Sequence, residues 1–389
     1  MSRLPAQTLA ELDRRLAPVD EALRRRYPGG PTGRQPVHTV YVPADQFTAD
    51  TAARWGKLAI AALDAHPPLP FASDLQERVR AKLATEPIED LRIDFEDGYG
   101  LRGDDDEDQA ARAAAAALRT GVALPFVGLR CKSLEEHTRR RAVRTLDVFL
   151  DALGPPPDGF VVTLPKVSAV EQVAAMVDLC GQLERTHALE AGRLRFEIQV
   201  EMTQAVLGAD GTATVARMLG AAAGRCAGLH YGTYDYSAAC GIAAAYQAMD
   251  HPAADHAKAV MQVAAAGTGV RLSDGSTNVL PVGDAEAVQA AWRLHTRLVL
   301  RSLARGFYQG WDLHPAQLPT RYGATYAFFR EGAPAAAARL TAYLGKRDIG
   351  ILDEPATARA LAGFLLRGLD CGALDAGDVA LDRSTMEAL

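Results

Sequence analysis

The chain has 389 residues, of which 48% are hydrophobic and 23% charged, and its formal net charge is −6. A chain of this size buries a large core unaided, and its acidic balance excludes a nucleic-acid-binding footprint. Five scattered cysteines (Cys131, Cys180, Cys226, Cys240 and Cys371) form no C-x-x-C pair, which excludes a zinc knuckle and a disulfide scaffold and points to reduced thiols in the cytoplasm.

The first 30 residues lack the apolar segment of a signal peptide, and no run of 18 apolar residues occurs, so neither secretion nor a membrane partner is expected. Residues 5–26 carry Leu9, Leu12, Leu16, Val19 and Leu23 at helical spacing between charges. This predicts an amphipathic helix, kinked at Pro18 and stopped by the turn Pro28-Gly29-Gly30-Pro31. Short apolar runs follow at 37–43, 90–97, 123–131, 159–165, 194–201, 227–234, 268–272 and 306–313. Helical patterns separate them at 106–119, 135–153, 168–186, 212–224, 252–266 and 284–305. Eight strands alternating with helices match the count of a (β/α)₈ TIM barrel. A doubly wound sheet is disfavoured because no G-x-G-x-x-G follows a strand. The expected organisation is α/β: an N-terminal helical extension (1–35), a barrel that carries the chemistry (36–323) and a C-terminal helical extension (324–389) broken near 332–334 and 350–355.

In such a barrel the active site lies at the C-terminal ends of the strands. The polar residues closing the runs are therefore the candidates: Asp94, Glu96 and Asp97; Arg130 and Lys132; Lys166; Glu201; Asp235; and Asp312 with His314. The first run offers His38 and Asp45. A single residue of this kind is more often a helix cap or a solvated loop residue. Together, carboxylates and cations from at least five strands suit a divalent ion and an anionic substrate. Glu201 and Asp235, on adjacent strands, would face each other. A hard cation such as Mg²⁺ takes one or two carboxylates, keeps waters and leaves positions for substrate oxygens. The alternative is that Glu201 caps a helix and Asp235 starts a loop. An imine-forming aldolase would need Lys132 or Lys166 with a lowered pKa, yet both sit near carboxylates.

The ordered set Asp94-x-Glu96-Asp97, Arg130, Pro165-Lys166, Glu201, Gly232-Thr-Tyr-Asp235 and His314-Pro315-x-Gln317 resembles the citrate lyase β-subunit (CitE-like) and HpcH/HpaI aldolase superfamily, which includes malyl-CoA lyases and, more distantly, malate synthases. The resemblance runs from about residue 37 to 320. It implies a (β/α)₈ barrel lyase with Mg²⁺ or Mn²⁺ on Glu201 and Asp235. Arg130 would bind the substrate carboxylate through its planar fork. Asp94, Glu96 and Asp97 would orient metal-bound waters and Arg130, and Lys166 would neutralise that cluster. His314 would lie near the rim as a substrate contact or as a turn former. The segment Ile351-Leu-Asp353-Glu-Pro355 resembles one that covers a barrel rim, often a neighbour's, and supplies an acidic group; in the plainer reading Asp353 caps the next helix.

The departures are informative. The first run has His38 where an arginine is usual, and Tyr234 and Tyr236 are closer to the Trp-Asp-Tyr run of malate synthases. Residues 273–278 form a polar loop without a counterpart. Arg139, Arg140, Arg141 and Arg144 would meet a CoA phosphate or, as a solvated face, pair with Glu135 and Glu136. The leading expectation is a metal-dependent carbon–carbon lyase that cleaves a hydroxy, oxo or acyl acid through a stabilised enolate, with Asp94, Glu96, Asp97, Arg130, Lys166 and Asp353 as catalytic candidates and His38, Arg130, Tyr234 and His314 as substrate contacts. Its partners would be a small carboxylate, with a CoA thioester as the alternative form, and further copies of itself in a homo-oligomer. The runners-up are a malyl-CoA or citramalyl-CoA lyase or malate synthase-like Claisen enzyme, and a ligand-binding barrel without chemistry.

Overall fold

Each apolar run becomes a strand, and the strands close on one another. The computed structural model describes residues 5–70, 72–121, 124–346 and 354–389. Among these residues eight strands form: β1 (His38–Pro43), β2 (Asp90–Asp94), β3 (Phe126–Arg130), β4 (Val161–Leu164), β5 (Arg195–Val200), β6 (Cys226–Tyr231), β7 (Arg271–Ser273) and β8 (Gly310–Asp312). Their order is β7-β6-β5-β4-β3-β2-β1-β8, every neighbour parallel. A parallel bridge between Ser273 and Gln309 brings the two ends together, so the sheet is a nearly closed barrel. The polar loop after β7 reinforces this seam: the Asp274 N–H donates to the Gln309 carbonyl (2.8 Å), and the Trp311 N–H to that of Gly275 (3.1 Å).

The helices are α1 (Ala6–Arg26), α2 (Thr51–Ala65), α3 (Gln76–Thr85), α4 (Asp104–Arg119), α5 (Arg139–Leu153), α6 (Val170–Thr186) and α7 (Thr203–Val206). They continue with α8 (Thr214–Ala221), α9 (Thr233–Ala239), α10 (Pro252–Ala265), α11 (Ala285–Ala304), α12 (Leu318–Leu344), α13 (Pro355–Asp370) and α14 (Arg383–Glu387). None of these helices is long and apolar enough to cross a membrane. Helix α4 opens on four acidic residues, Asp104 to Glu107, which complement the positive end of its dipole. Arg141 and Arg144 of α5 grip Asp108 of α4. Arg141 and Arg144 are thus tied to the neighbouring helix, and Arg139 donates to the Leu134 carbonyl (3.2 Å).

The break expected near residues 332–334 does not occur. Helix α12 runs through Pro334, with Phe329, Ala333, Ala336, Ala337 and Leu340 buried along its length. Packing outweighs the backbone hydrogen bond that proline removes. Gly332 serves contact rather than termination: a Cβ there would lie 2.6 Å from the Phe364 ring of α13.

Strand periodicity fills the barrel with charge as well as with apolar groups. Residues two apart share a face, so Asp90, Arg92 and Asp94 of β2 point inward together. So do Glu197, Gln199 and Glu201 along β5. Arg92 reaches across the barrel to Glu197 (Nη2 to Oε2, 2.9 Å) and back to Asp90, and His230 Nε2 lies 3.0 Å from Glu197. This buried layer lies below the residues that open onto the C-terminal rim.

Candidate active site

Strand β2 ends at Asp94, where the chain turns over the aspartate's own carboxylate. Oδ1 accepts the Glu96 N–H (2.9 Å) and Oδ2 the Gly98 N–H (2.8 Å). The β2–β3 register places Arg130 directly beside Asp94. Two parallel bonds of 2.7 Å join Arg130 Nε and Nη2 to the two Asp94 oxygens. The third nitrogen, Nη1, lies 3.4 Å from Glu96 Oε2 and 3.4 Å from Gln199 Oε1. The guanidinium also lies over the Tyr41 ring, 4.6 Å from its centroid. Burial opposes both charges of the Arg130–Asp94 pair, but each holds the other ionised: Asp94 stays below the usual carboxylate range and Arg130 well above the usual guanidinium range.

Lys166 follows β4 with a left-handed backbone, φ 51°. That conformation turns its N–H onto Glu201 Oε1 (2.7 Å). Its ammonium lies 2.9 Å from Glu96 Oε1, 2.9 Å from Asp235 Oδ2 and 3.3 Å from Asp97 Oδ1. Glu201 is buried, and its second oxygen accepts from the Gln199 amide. Gly232, after β6, cradles it: a Cβ at that position would sit 2.5 Å from the Glu201 Cβ. Asp235 lies in the first turn of α9, neither strand end nor loop. A cavity of about 240 Å³ opens beside the cluster, lined by Glu96, Asp97, Lys132, Ser133, His137 and Lys166.

The electrostatics follow from crowding. Burial, then the like charges of Glu96 and Asp235, push the Glu201 carboxyl up to about 8 against the pull of Lys166 and Arg130. Burial also raises Glu96. Asp235 is held below its ordinary value because Lys166 outweighs its burial. Burial disfavours the Lys166 ammonium, but Glu201 and Glu96 hold it above the ordinary lysine range. A lysine kept charged in this way is no imine-forming nucleophile. Lys132 is equally committed, 2.8 Å from Glu107 Oε2 and 2.6 Å from the Phe95 carbonyl.

The donor set fits a hard divalent ion. Glu201 and Asp235 are oxygen donors brought together at Lys166, one on its backbone N–H and one on its ammonium, with Glu96 and Asp97 close by and an excess of carboxylates that further positive charge would relieve. Among the described residues no group of three or more potential ligating side chains converges.

A family model described as a domain of unknown function, DUF6986, matches residues 16–389. The chain belongs to the DUF6986 family. No curated protein matches the sequence of this family member. Among solved structures, the Haloferax volcanii malate synthase lead(II) complex is 13% identical, with a TM-score of 0.51 over 87% of this chain and 99% of that one. Its magnesium/glyoxylate complex is 14% identical, with a TM-score of 0.50 over 86% and 97%. CitE from Mycobacterium tuberculosis, with magnesium, acetoacetate and coenzyme A, is 20% identical, with a TM-score of 0.50 over 88% and 98%. At these identities the likeness is one of fold.

The structure of this DUF6986 chain brings together Asp94, Glu96, Asp97, Arg130, Lys166, Glu201 and Asp235, and separates others from them. His38 is the first residue of β1, at the opposite end of the barrel. It is buried, with Nε2 accepting the Glu89 N–H (3.1 Å) and Nδ1 2.8 Å from Asp312 Oδ2, so it is a packing residue and not a substrate contact at the rim. The Tyr234 hydroxyl is spent on the Asn278 N–H and the Ser276 carbonyl, fixing the loop after β7. His314 caps the short turn Pro315–Gln317, its Nδ1 accepting the Ala316 N–H (3.1 Å), which is the turn-forming role. Asp353 lies outside the described residues. The sequence reading missed Gln199, which joins Arg130 to Glu201, and Tyr41, on which Arg130 rests. Gln199 was findable, since it lies two residues before Glu201 on the same inward face.

Proposed function

We propose that this protein is a divalent-metal-dependent enzyme that makes or breaks a carbon–carbon bond adjacent to the carbonyl of a small carboxylic acid. The observation that carries the reading is that Lys166 gathers two carboxylates at the open rim beside Arg130, Glu201 on its backbone N–H and Asp235 on its ammonium. Mg²⁺ or Mn²⁺ held by those two carboxylates would supply polarisation of the substrate carbonyl. The protein's own residues do the rest. Asp94 spends one edge of Arg130 on positioning, so the substrate carboxylate meets the Nη1 side. Lys166 keeps Glu201 and Asp235 together until the ion and substrate enter. Tyr41 and the buried barrel layer exclude water from beneath the site, which strengthens each electrostatic contact. A Claisen-type reaction on a CoA thioester is a second reading of the same site. The cavity opening outward from Glu96 and Lys166 supports it, as do fold neighbours that are a malate synthase and a CitE bound to coenzyme A.

The test is calorimetric titration with Mg²⁺ and Mn²⁺, followed by a turnover screen over hydroxy and oxo acids with and without acyl-CoA, reading free thiol and released oxo acid. Wild type should bind the ion, and Glu201→Gln should lose most affinity and turnover while staying folded. Undiminished turnover in EDTA, or equal binding by Glu201→Gln, overturns the assignment. Thiol release with an acyl-CoA selects the second reading.

A further inference from the structure

Helix α1 leaves its apolar stripe in solvent. Leu9 is 64% exposed, Leu12 and Leu16 47%, and Val19 and Leu23 50%. Among the described contacts it is anchored only at its end, where Arg26 Nη2 reaches the Ala216 carbonyl (3.5 Å) and the Tyr27 ring lies 3.6 Å from where a Cβ on Gly267 would be. The stripe residues are spaced 3, 4, 3 and 4 apart, which is the a/d pattern of a coiled coil. A helix packed on a globular core shows a wider apolar face. With Leu9, Leu16 and Leu23 at a and Leu12 and Val19 at d, Pro18 falls at c, away from the seam. The intrahelical pairs Glu11–Arg14 (2.6 Å) and Glu21–Arg24 (3.0 Å) also lie on the outer faces.

We propose that α1 pairs with α1 of a second copy of this chain as a parallel, in-register coiled coil. The flanking charges choose the partner and the direction. Asp13 and Asp20 occupy e positions and Arg15 a g position, so in a parallel pair each Arg15 reaches Asp20 of the other copy. An antiparallel pair sets e against e and g against g, which brings the aspartates to face each other. The same aspartates flank the stripe directly and oppose an anionic lipid surface. The seam is only about two and a half heptads long, so association is reversible and depends on concentration.

The experiment uses the full chain in a Cys240→Ser background, since Cys240 is exposed and the other four cysteines are buried. Leu9→Cys and Leu23→Cys are each oxidised mildly, alone and mixed. The expected products are 9–9 and 23–23 disulfide dimers with no 9–23 product, whether or not another surface also joins the copies. In sedimentation, Arg15→Asp should weaken association at least tenfold, and Arg15→Asp with Asp20→Arg should restore it. Absence of cross-linking, or a 9–23 product, overturns the proposal. So does loss of binding to phosphatidylserine-containing vesicles in Leu12→Asp/Leu16→Asp with no change in self-association. Unchanged thermal melts would show that the barrel of each variant is intact.

Discussion

Two clusters of carboxylates around a cation lie along the barrel axis, and they differ in how they hold that cation. In the inner one, Arg92 sets Nε and Nη2 on the two oxygens of Glu197 at 3.0 and 2.9 Å, with Asp90, Thr163 and His230 completing the shell. Every one of these side chains is buried and paired within the cluster. At the rim, Glu96, Asp97 and Asp235 share a single ammonium on a flexible stem, and the Asp235 side chain is 46% exposed. Charge density does not distinguish a structural cluster from a reactive one. What distinguishes these two is access: the inner cluster is buried, whereas the rim cluster opens to solvent at Asp97 and Asp235.

Breaking the inner cluster should have the largest effect. Glu197→Leu leaves Arg92 buried and underpaired and should cost about 3–5 kcal/mol of stability in chemical denaturation. Glu201→Gln, by contrast, should leave stability at or above wild type, because it removes a buried carboxyl that burial and its neighbours disfavour ionising. Next, Mg²⁺ at about a hundredfold its Kd should stabilise wild type by about 2.7 kcal/mol and Glu201→Gln hardly at all, as read by melting in the presence and absence of the ion. Arg130→Lys keeps the charge and loses the fork. It should lower kcat/KM by about 1.5–3 kcal/mol, and an unchanged value would reduce Arg130 to a prop for Asp94. The smallest effect lies outside both clusters. Hydrogen bonds from Arg144 and Arg141 hold the Asp108 carboxyl down to about 2. A depressed carboxylate contributes stability above its unfolded value of about 4, and that contribution is lost as pH falls through 2. Asp108→Asn should therefore flatten the acid limb of the stability profile and cost no more than about 1 kcal/mol at neutral pH.

The sequence disclosed the barrel because alternation of strand and helix is a local property. It disclosed most of the rim because strand-closing residues can be counted without knowing the packing. Asp94, Arg130, Lys166 and Glu201 were reachable by that rule, and Asp235 because it follows its apolar run, although it lies on α9. His38 fell outside it, being the residue that opens its strand. Gln199 was overlooked for a related reason: reading only the last residue of each run ignores the inward-facing one two places earlier. The helix through Pro334 was hidden because its stability comes from α13 and the buried apolar face, neither of which is written in the local pattern. Tyr41 looks like any strand aromatic until Arg130 is found lying on it.

Lys166 carries a consequence for how this chain can change over generations. Its left-handed backbone costs a residue with a Cβ about 1–2 kcal/mol, and glycine would adopt the same turn without that strain. Selection for folding alone would drift position 166 towards glycine, which keeps the N–H on Glu201 and discards the ammonium. A lysine there keeps the ammonium that holds Glu96, Asp97 and Asp235. Glycine at this one position would therefore leave the turn intact and the three carboxylates without their shared cation.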